Sequence, residues 1–340
     1  MVYYRNRFCL VGDYLVSKFP NNIFGIVRED LMAVEKELYS IIQSPVDLVN
    51  DISVHLVQAG GKRLRPALYL LCARGGTPKK QSELLSMAVA IELIHMATLV
   101  HDDVIDNAAT RRGRPTANAR WGNHSSVLTG DYLFAKAFSS VTLGADKNML
   151  RILTDVICTM CEGEIVQLKE SYNSEQDEAD YRLRVAQKTA DFIAASCELG
   201  AISGGLDEND VIQVREYGYA IGMAFQITDD ILDITASAEQ LGKPVGNDLR
   251  QGIVTLPVIY ALKTSPHCDE LRSIITKQNM SDNDVKRGLE IVHQTDAIEY
   301  SYGQVNKYLQ HARNILPVTL NSPVRESLLA VADFVGLRKY

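Results

Sequence analysis

Cysteine is sparse in this chain, with six among 340 residues at Cys9, Cys72, Cys158, Cys161, Cys197 and Cys268. Cysteines scattered this way exclude a disulfide-stapled scaffold and fit a reducing compartment, so a cytoplasmic location is expected. Cys158-Thr-Met-Cys161 is formally a CxxC, yet no second CxxC or adjacent histidine completes a zinc site. These thiols are expected to be buried in a helix. Positive charge is also in deficit: 35 Lys and Arg against 42 Asp and Glu leave a net charge of −7. That argues against a nucleic-acid partner and against a general membrane-binding patch, so any basic cluster is local and suits a small anion. No signal-peptide pattern follows Met1-Val-Tyr-Tyr-Arg-Asn-Arg7. The longest apolar run, Met87 to Val100, is interrupted by Glu92 and His95. It reads as a buried helix, not a membrane span.

Strand-like alternation and linker-like composition are lacking too. Apolar residues mostly recur at i, i+3, i+4 and i+7, and no convincing strand emerges. The 46% apolar and 23% charged content is that of an ordinary globular protein. Helices are expected over 26–42, 46–59, 82–105, 149–170, 181–202 and 207–235, with one or two more over 116–143. Another begins at Thr255-Leu-Pro257, with proline in its first turn. The expected fold is all-α, a single large helical bundle forming one domain over 1–340, with 1–24 as a peripheral segment.

What stands out is acidic. Leu99-Val-His-Asp-Asp-Val-Ile-Asp106 places Asp102 and Asp106 four apart, with Asp103 beside them. On a helix, i and i+4 share a face, so the two carboxylates repel unless a cation lies between them. Hard Mg²⁺ takes such oxygens and shares its remaining positions with water and phosphate. The pattern recurs at Gln226-Ile-Thr-Asp-Asp-Ile-Leu-Asp233, giving Asp229 and Asp233 the same relation. Each set follows an apolar helical run, and unpaired buried charge is costly, so each must face a cavity.

Cations cluster near these sets. Gly61-Lys-Arg-Leu-Arg-Pro66 puts Lys62, Arg63 and Arg65 in a turn between helices, and Arg111-Arg112-Gly113-Arg114 follows the first aspartates. Arginine supplies bidentate donors and lysine a point charge, a combination suited to diphosphate. Lys188-Thr189 lies among Ala and Ile, where the lysine either snorkels outward or points inward. Two acidic helix ends, a cationic rim and apolar helices below describe a site for an allylic diphosphate with a long hydrocarbon tail. Such a site pulls charge onto a departing diphosphate and keeps the resulting carbocation dry.

The motifs Gly61-Lys-Arg-Leu-Arg-Pro66, His95, Asp102-Asp103-x-x-Asp106, Arg111-Arg112-Gly113, Gly163-Glu164, Lys188-Thr189, Phe225-Gln226, Asp229-Asp230-x-x-Asp233 and Gly242-Lys243-Pro244 resemble the trans-polyprenyl diphosphate synthase family. The likeness runs from about residue 25 to the end. It implies an isoprenoid-synthase-type bundle with a central cavity, and Mg²⁺-dependent condensation of isopentenyl diphosphate onto an allylic diphosphate. Lys62, Arg65, His95 and Arg112 would hold isopentenyl diphosphate, and Arg111 the allylic diphosphate. Asp102, Asp103, Asp106, Asp229 and Asp233 would bind Mg²⁺, three ions per site. Lys188, Thr189 and Gln226 would flank the developing cation, and Lys243 would close over the diphosphate. The proton lost after condensation would go to released diphosphate. The family often has Lys where this chain has Ile253. The resemblance also implies a homodimer, or a heteromer with a small regulatory subunit, and peripheral membrane contact through product release.

Product length follows from the helix bearing the first aspartates. Ala97 and Thr98, about one turn before Asp102, are small where short-product members carry aromatic rings. An open tunnel and a long product are expected, heptaprenyl by resemblance, with Phe134 or Phe138 as floor. The alternatives are a shorter-chain farnesyl or geranylgeranyl synthase, a class I terpene cyclase, and a phosphohydrolase using His101-Asp102. The cyclase has no use for Lys62 and Arg65, since it handles one diphosphate. The hydrolase needs more histidine ligands than seven scattered residues offer.

Overall fold

A computed structural model describes residues 23–77, 80–142, 144–236 and 245–337. Lys243 and the Gly242-Lys243-Pro244 motif lie outside the described residues. The chain divides into two compact units of discontinuous segments: Met1–Ile152, Ser196–Ile212 and Pro317–Leu328 in one, and Leu153–Ala195, Gln213–Leu316 and Leu329–Tyr340 in the other.

The first unit begins with a 3-10 turn, Gly25–Val27, and α1, Arg28–Ile41. Helix α1 has Glu29 and Asp30 in its first turn, where the helix dipole favours negative charge. After α2, Asp47–Gln58, comes α3, Leu64–Ala73, in which every residue except Arg65 is buried. Helix α4, Gln81–Ile105, has an unbroken buried run from Met87 to Ile94, as expected of a helix apolar on all sides. By length and composition alone α4 is long and apolar enough to cross a membrane.

Between α4 and α5, Ala117–Trp121, the chain forms a small hairpin of β1, Thr110–Arg111, and β2, Arg114–Pro115. Two-residue strands leave no periodic signal, which is why the sequence shows none. Helix α6, Asn123–Val141, runs antiparallel to α4, since a β-carbon on Gly130 would strike the His101 ring and Ser140 Oγ reaches the Ser86 carbonyl at 3.3 Å.

The second unit holds most of α7, Lys147–Glu170, then α8, Glu178–Val185, entered through a reciprocal cap between Asp177 and Asp180. The expected helix over 181–202 is not uniform. A π-helical turn, Ala186–Ala190, interrupts it before α9, Asp191–Ser203. Two glycines admit this turn: a β-carbon on Gly163 would come within 2.7 Å of Gln187 Cβ, and one on Gly222 within 2.5 Å of Ala190 Cα. Single π turns inserted in α-helices are frequent at functional sites, and this one carries Lys188 and Thr189. Helix α10, Glu208–Thr235, ends in the second aspartate set. The remainder is α11, Asn247–Arg250, α12, Leu256–Thr264, α13, Cys268–Ile275, α14, Asp282–His293, α15, Ala297–Ile315, and α16, Ser322–Gly336. The unit boundaries cut α7, α9, α10 and α16.

The cysteines correct one expectation. Cys158 and Cys161 do lie on a helix, but both are exposed, whereas Cys72 and Cys197 are the buried thiols. The i, i+3 spacing put the pair on one face without saying which face.

Candidate active site

In the first unit, α4 ends at Ile105 and Asp106 caps it, its N–H donating to the Asp102 carbonyl at 2.8 Å. Helical register therefore persists through Asp106, and Asp102 and Asp106 stand one turn apart, both half-buried. Carboxylates at a helix C-terminus also face the negative end of the dipole, which sharpens their need for cations. Asp103 behaves differently. It is 3% exposed, and its Oδ1 accepts a bond from Arg111 Nε at 2.7 Å. Burial raises its pKa and Arg111 opposes that rise. Its carboxylate holds Arg111.

The β1–β2 hairpin presents Arg111 and Arg112. Arg112 at φ 54° and Gly113 at φ 73° form its tip, two successive left-handed residues as primed hairpin turns require. The hairpin is fastened to α2 by Arg114 Nη1 donating to the Gln58 carbonyl at 2.9 Å and by the His55 ring on the Pro115 carbonyl at 2.9 Å. The Arg112 guanidinium lies against Gly61, where a β-carbon would approach Nη1 to 3.1 Å.

The cationic turn divides its labour. Arg63, at φ 48°, is 4% exposed and ion-paired with Glu35 and Glu92, the latter at 2.6 Å. The pairs offset the strain of a left-handed arginine, and Arg63 is thus structural. Arg65 Nη1 lies 3.3 Å from His95 Nε2. Burial pushes Arg65 down to about 10, still charged at neutral pH. The His95 imidazole is held well below its ordinary pKa by burial and then by Arg65, Arg112, Arg63 and Arg111. A neutral imidazole amid guanidiniums marks a place where positive charge is in excess and an anion is wanted. Lys62 is half-buried in the same turn. A cleft of about 520 Å³ adjoins this cluster, lined by Glu92, Met96, Leu99, Asp103, Arg111 and Arg112 among others.

His101 does not pair with Asp102. Its Nε2 lies 3.1 Å from the Val127 carbonyl and 3.6 Å from Asp131, which removes the dyad of the hydrolase alternative. Ala97 is fully buried, while Thr98 is half-buried and donates to the His95 carbonyl at 2.9 Å. Phe134 stands beside His101, ring centroids 5.8 Å apart, and Phe138 lies one turn further along α6.

In the second unit the same motif meets other neighbours. Asp229 is half-buried, while Asp230 and Asp233 are 4% and 2% exposed. Asp233 Oδ2 accepts the Asp248 N–H at 3.0 Å and its carbonyl accepts the Gly246 N–H at 2.8 Å, binding the turn into α11 to the end of α10. Asp230 accepts Tyr181 Oη on Oδ2 at 2.7 Å and Gln226 Nε2 on Oδ1 at 2.8 Å. Gln226 Oε1 in turn accepts Thr189 Oγ1 at 2.9 Å. Burial pushes the Asp230 carboxyl up to about 6 against these donors and Arg184. Lys188 pairs with Glu164 at 2.7 Å, and Gln167 also bonds Glu164, at 3.0 Å. Lys188, Thr189, Gln226, Asp230, Asp248 and Ile253 all line one cleft of about 440 Å³. Sequence reasoning assigned no role to Tyr181, Asp230 or Asp248. Only the i, i+4 spacing of Gln226 and Asp230 was a signal for any of them.

Among the described residues no three metal-ligating side chains converge into a cage. The donors are hard oxygens in pairs one turn apart. That fits Mg²⁺, which takes one or two carboxylates and completes its shell with phosphate and water.

A sequence profile of the polyprenyl synthetase family matches residues 46–292. The chain is 42% identical over 317 residues to heptaprenyl diphosphate synthase component 2 of Bacillus subtilis, covering 93% of this chain and 90% of that one. It superposes on heptaprenyl diphosphate synthase from Staphylococcus aureus with a TM-score of 0.86 and 33% identity, covering 92% and 99% of the two chains. A polyprenyl synthase from Caulobacter crescentus, complexed with calcium and isoprenyl diphosphate, gives a TM-score of 0.89 at 33% identity, covering 94% and 98%.

Proposed function

The chain belongs to the polyprenyl synthetase family, and on that premise we propose how its two aspartate sets and its cationic pocket serve one reaction. The enzyme is a prenyltransferase, a long-chain all-trans polyprenyl diphosphate synthase. It joins isopentenyl diphosphate head-to-tail to an allylic diphosphate. The allylic C–O bond breaks, the isopentenyl double bond attacks the allylic carbon to form a C–C bond, and a proton leaves to the released diphosphate.

Asp102 and Asp106 would hold Mg²⁺ for the allylic diphosphate and Asp229 would hold a further ion, with three ions as the full complement. Bound there, Mg²⁺ draws negative charge onto the leaving diphosphate. Arg111, steadied by Asp103, adds a guanidinium to the same group. Lys62, Arg65, Arg112 and neutral His95 hold isopentenyl diphosphate. Thr189 and Gln226 turn oxygen toward the developing cation. Thr98 leaves the tunnel open, and Phe138, further along α6 than Phe134, closes it.

The observation that carries this reading is the juxtaposition in one unit of a carboxylate pair, Asp102 and Asp106, with a separate pocket of Arg65, Arg112 and an uncharged His95. The first takes a diphosphate through Mg²⁺ and the second takes one directly, which calls for two diphosphates. We also propose a cytoplasmic enzyme, since the five described cysteines form no disulfide with one another. A small second subunit is a further part of the reading, supported by the word "component" in the name of the Bacillus relative.

The test is an assay of the purified chain with farnesyl diphosphate, labelled isopentenyl diphosphate and Mg²⁺, product length being read by mass. A long all-trans product is expected. Elongation only after adding a small partner subunit assigns the heteromer, and no elongation with or without it overturns the reading.

A further inference from the structure

The proposed reaction leaves Asp230 and Tyr181 without work, yet both are buried in the second unit. Tyr181 is 1% exposed and Asp230 4%. Their side chains meet at 2.7 Å across 49 residues of sequence. A buried carboxylate with two donors costs free energy to desolvate, so its retention calls for a function.

The hydrogen-bond logic supplies one. A carboxylate only accepts, so the group of Gln226 facing Asp230 must be its NH₂. The Gln226 carbonyl oxygen is thereby forced to the other side, where Thr189 sits. That oxygen only accepts, so the Thr189 hydroxyl must spend its one proton on it. The Thr189 oxygen, at the wall of the 440 Å³ cleft, is left with lone pairs to offer. Donating its proton along a chain that ends in a carboxylate also makes that oxygen more electron-rich. Tyr181 completes the arrangement by occupying Oδ2, so that Oδ1 stays on Gln226.

We propose that Tyr181 and Asp230 are positioning residues that lock the Gln226 amide and orient the Thr189 hydroxyl, so that the cleft presents acceptor oxygen to positive charge developing on the allylic carbon. Asp230 is then no metal ligand, despite its place in the Asp-Asp-x-x-Asp motif. This rests on the prenyl-transfer reading, and the experiment is arranged so that the two fail separately.

The experiment compares Tyr181→Phe, Asp230→Asn and Asp229→Asn with the parent enzyme, at saturating and limiting Mg²⁺. If the parent elongates farnesyl diphosphate, the reaction itself is secure. The expected result is a 10–100-fold loss of kcat in Tyr181→Phe and Asp230→Asn, the usual effect of removing an orienting partner. KM for both diphosphates and the Mg²⁺ half-saturation should stay at parental values, while Asp229→Asn raises the Mg²⁺ requirement. Thermal melts of the variants separate a folding defect from a kinetic one. Two results overturn the proposal: an Asp230→Asn enzyme restored by excess Mg²⁺, which makes Asp230 a ligand, or a correctly folded Tyr181→Phe enzyme with parental kcat.

Discussion

The two copies of Asp-Asp-x-x-Asp are identical as text and unlike as structure. At the end of α4, the middle aspartate, Asp103, is paired with a cation, Arg111, and the outer two are half-buried. At the end of α10, the middle aspartate, Asp230, is held by the neutral donors Tyr181 and Gln226, and the last, Asp233, is 2% exposed and bonded to the backbone of Asp248. In the first copy, Asp103 is balanced by Arg111 of the hairpin. In the second, Asp230 takes its hydrogen bonds from neutral groups, with the Arg184 charge acting on it as well. Equal spacing fixes which side chains share a helix face, but the elements packed against that face decide what each one does.

The first copy depends on buried charge balance, so the largest effect is expected at Arg63. Arg63→Ala strands Glu35 and Glu92, both under 5% exposed, and should cost about 3–5 kcal/mol in a urea titration. A loss below about 1 kcal/mol would break the picture of a region organised by cations. Next come the metal carboxylates, where Asp102→Ala and Asp229→Ala should each lower kcat by about 10²–10³-fold, the scale of a lost electrostatic group at a reacting centre.

pH separates the regions by sign. Burial pushes the Asp230 carboxyl up to about 6, against 3.8 as its ordinary value. The folded state binds the extra proton, so stability falls as pH rises from about 3.8 to 6. Asp230→Asn should abolish that fall, measured by chemical denaturation between pH 4 and 7. His95 runs the other way. Its folded pKa is depressed, so the unfolded state binds the proton first and stability drops as pH falls below 6.5. His95→Gln should remove that acid-side loss, and a parent protein unaffected by acid in this window would contradict the crowding of His95 by arginines. The smallest expected effect on rate is at Thr98→Phe. It should narrow the tunnel beside α4 and shorten the product seen by mass spectrometry, with kcat for the first condensation changed by less than about 10-fold.

Much of the arrangement was legible in advance. Apolar periodicity gave α4 and α10 to within a residue or two, and motif spacing put both aspartate sets at their ends. What stayed hidden has a common physical character. The hairpin bearing Arg111 and Arg112 has strands too short to show a period. The π turn under Lys188 and Thr189 depends on close approach at Gly163 and Gly222, which no local pattern reports. Arg63 reads as one more cation of a diphosphate turn until Glu35 and Glu92, 28 and 29 residues away, are seen beside it. Tyr181 gives no local sign of its partner. Such long-range pairings are set by packing and not by propensity.

The central claim is that carboxylates of both copies serve the same prenyl-transfer reaction. The direct test is the double variant Asp102→Asn with Asp229→Asn, assayed for labelled chain elongation beside each single variant. Groups that act as one unit are strongly non-additive, so the double variant should be little worse than the poorer single one. Losses that multiply fully would assign the two copies to independent tasks and contradict the account.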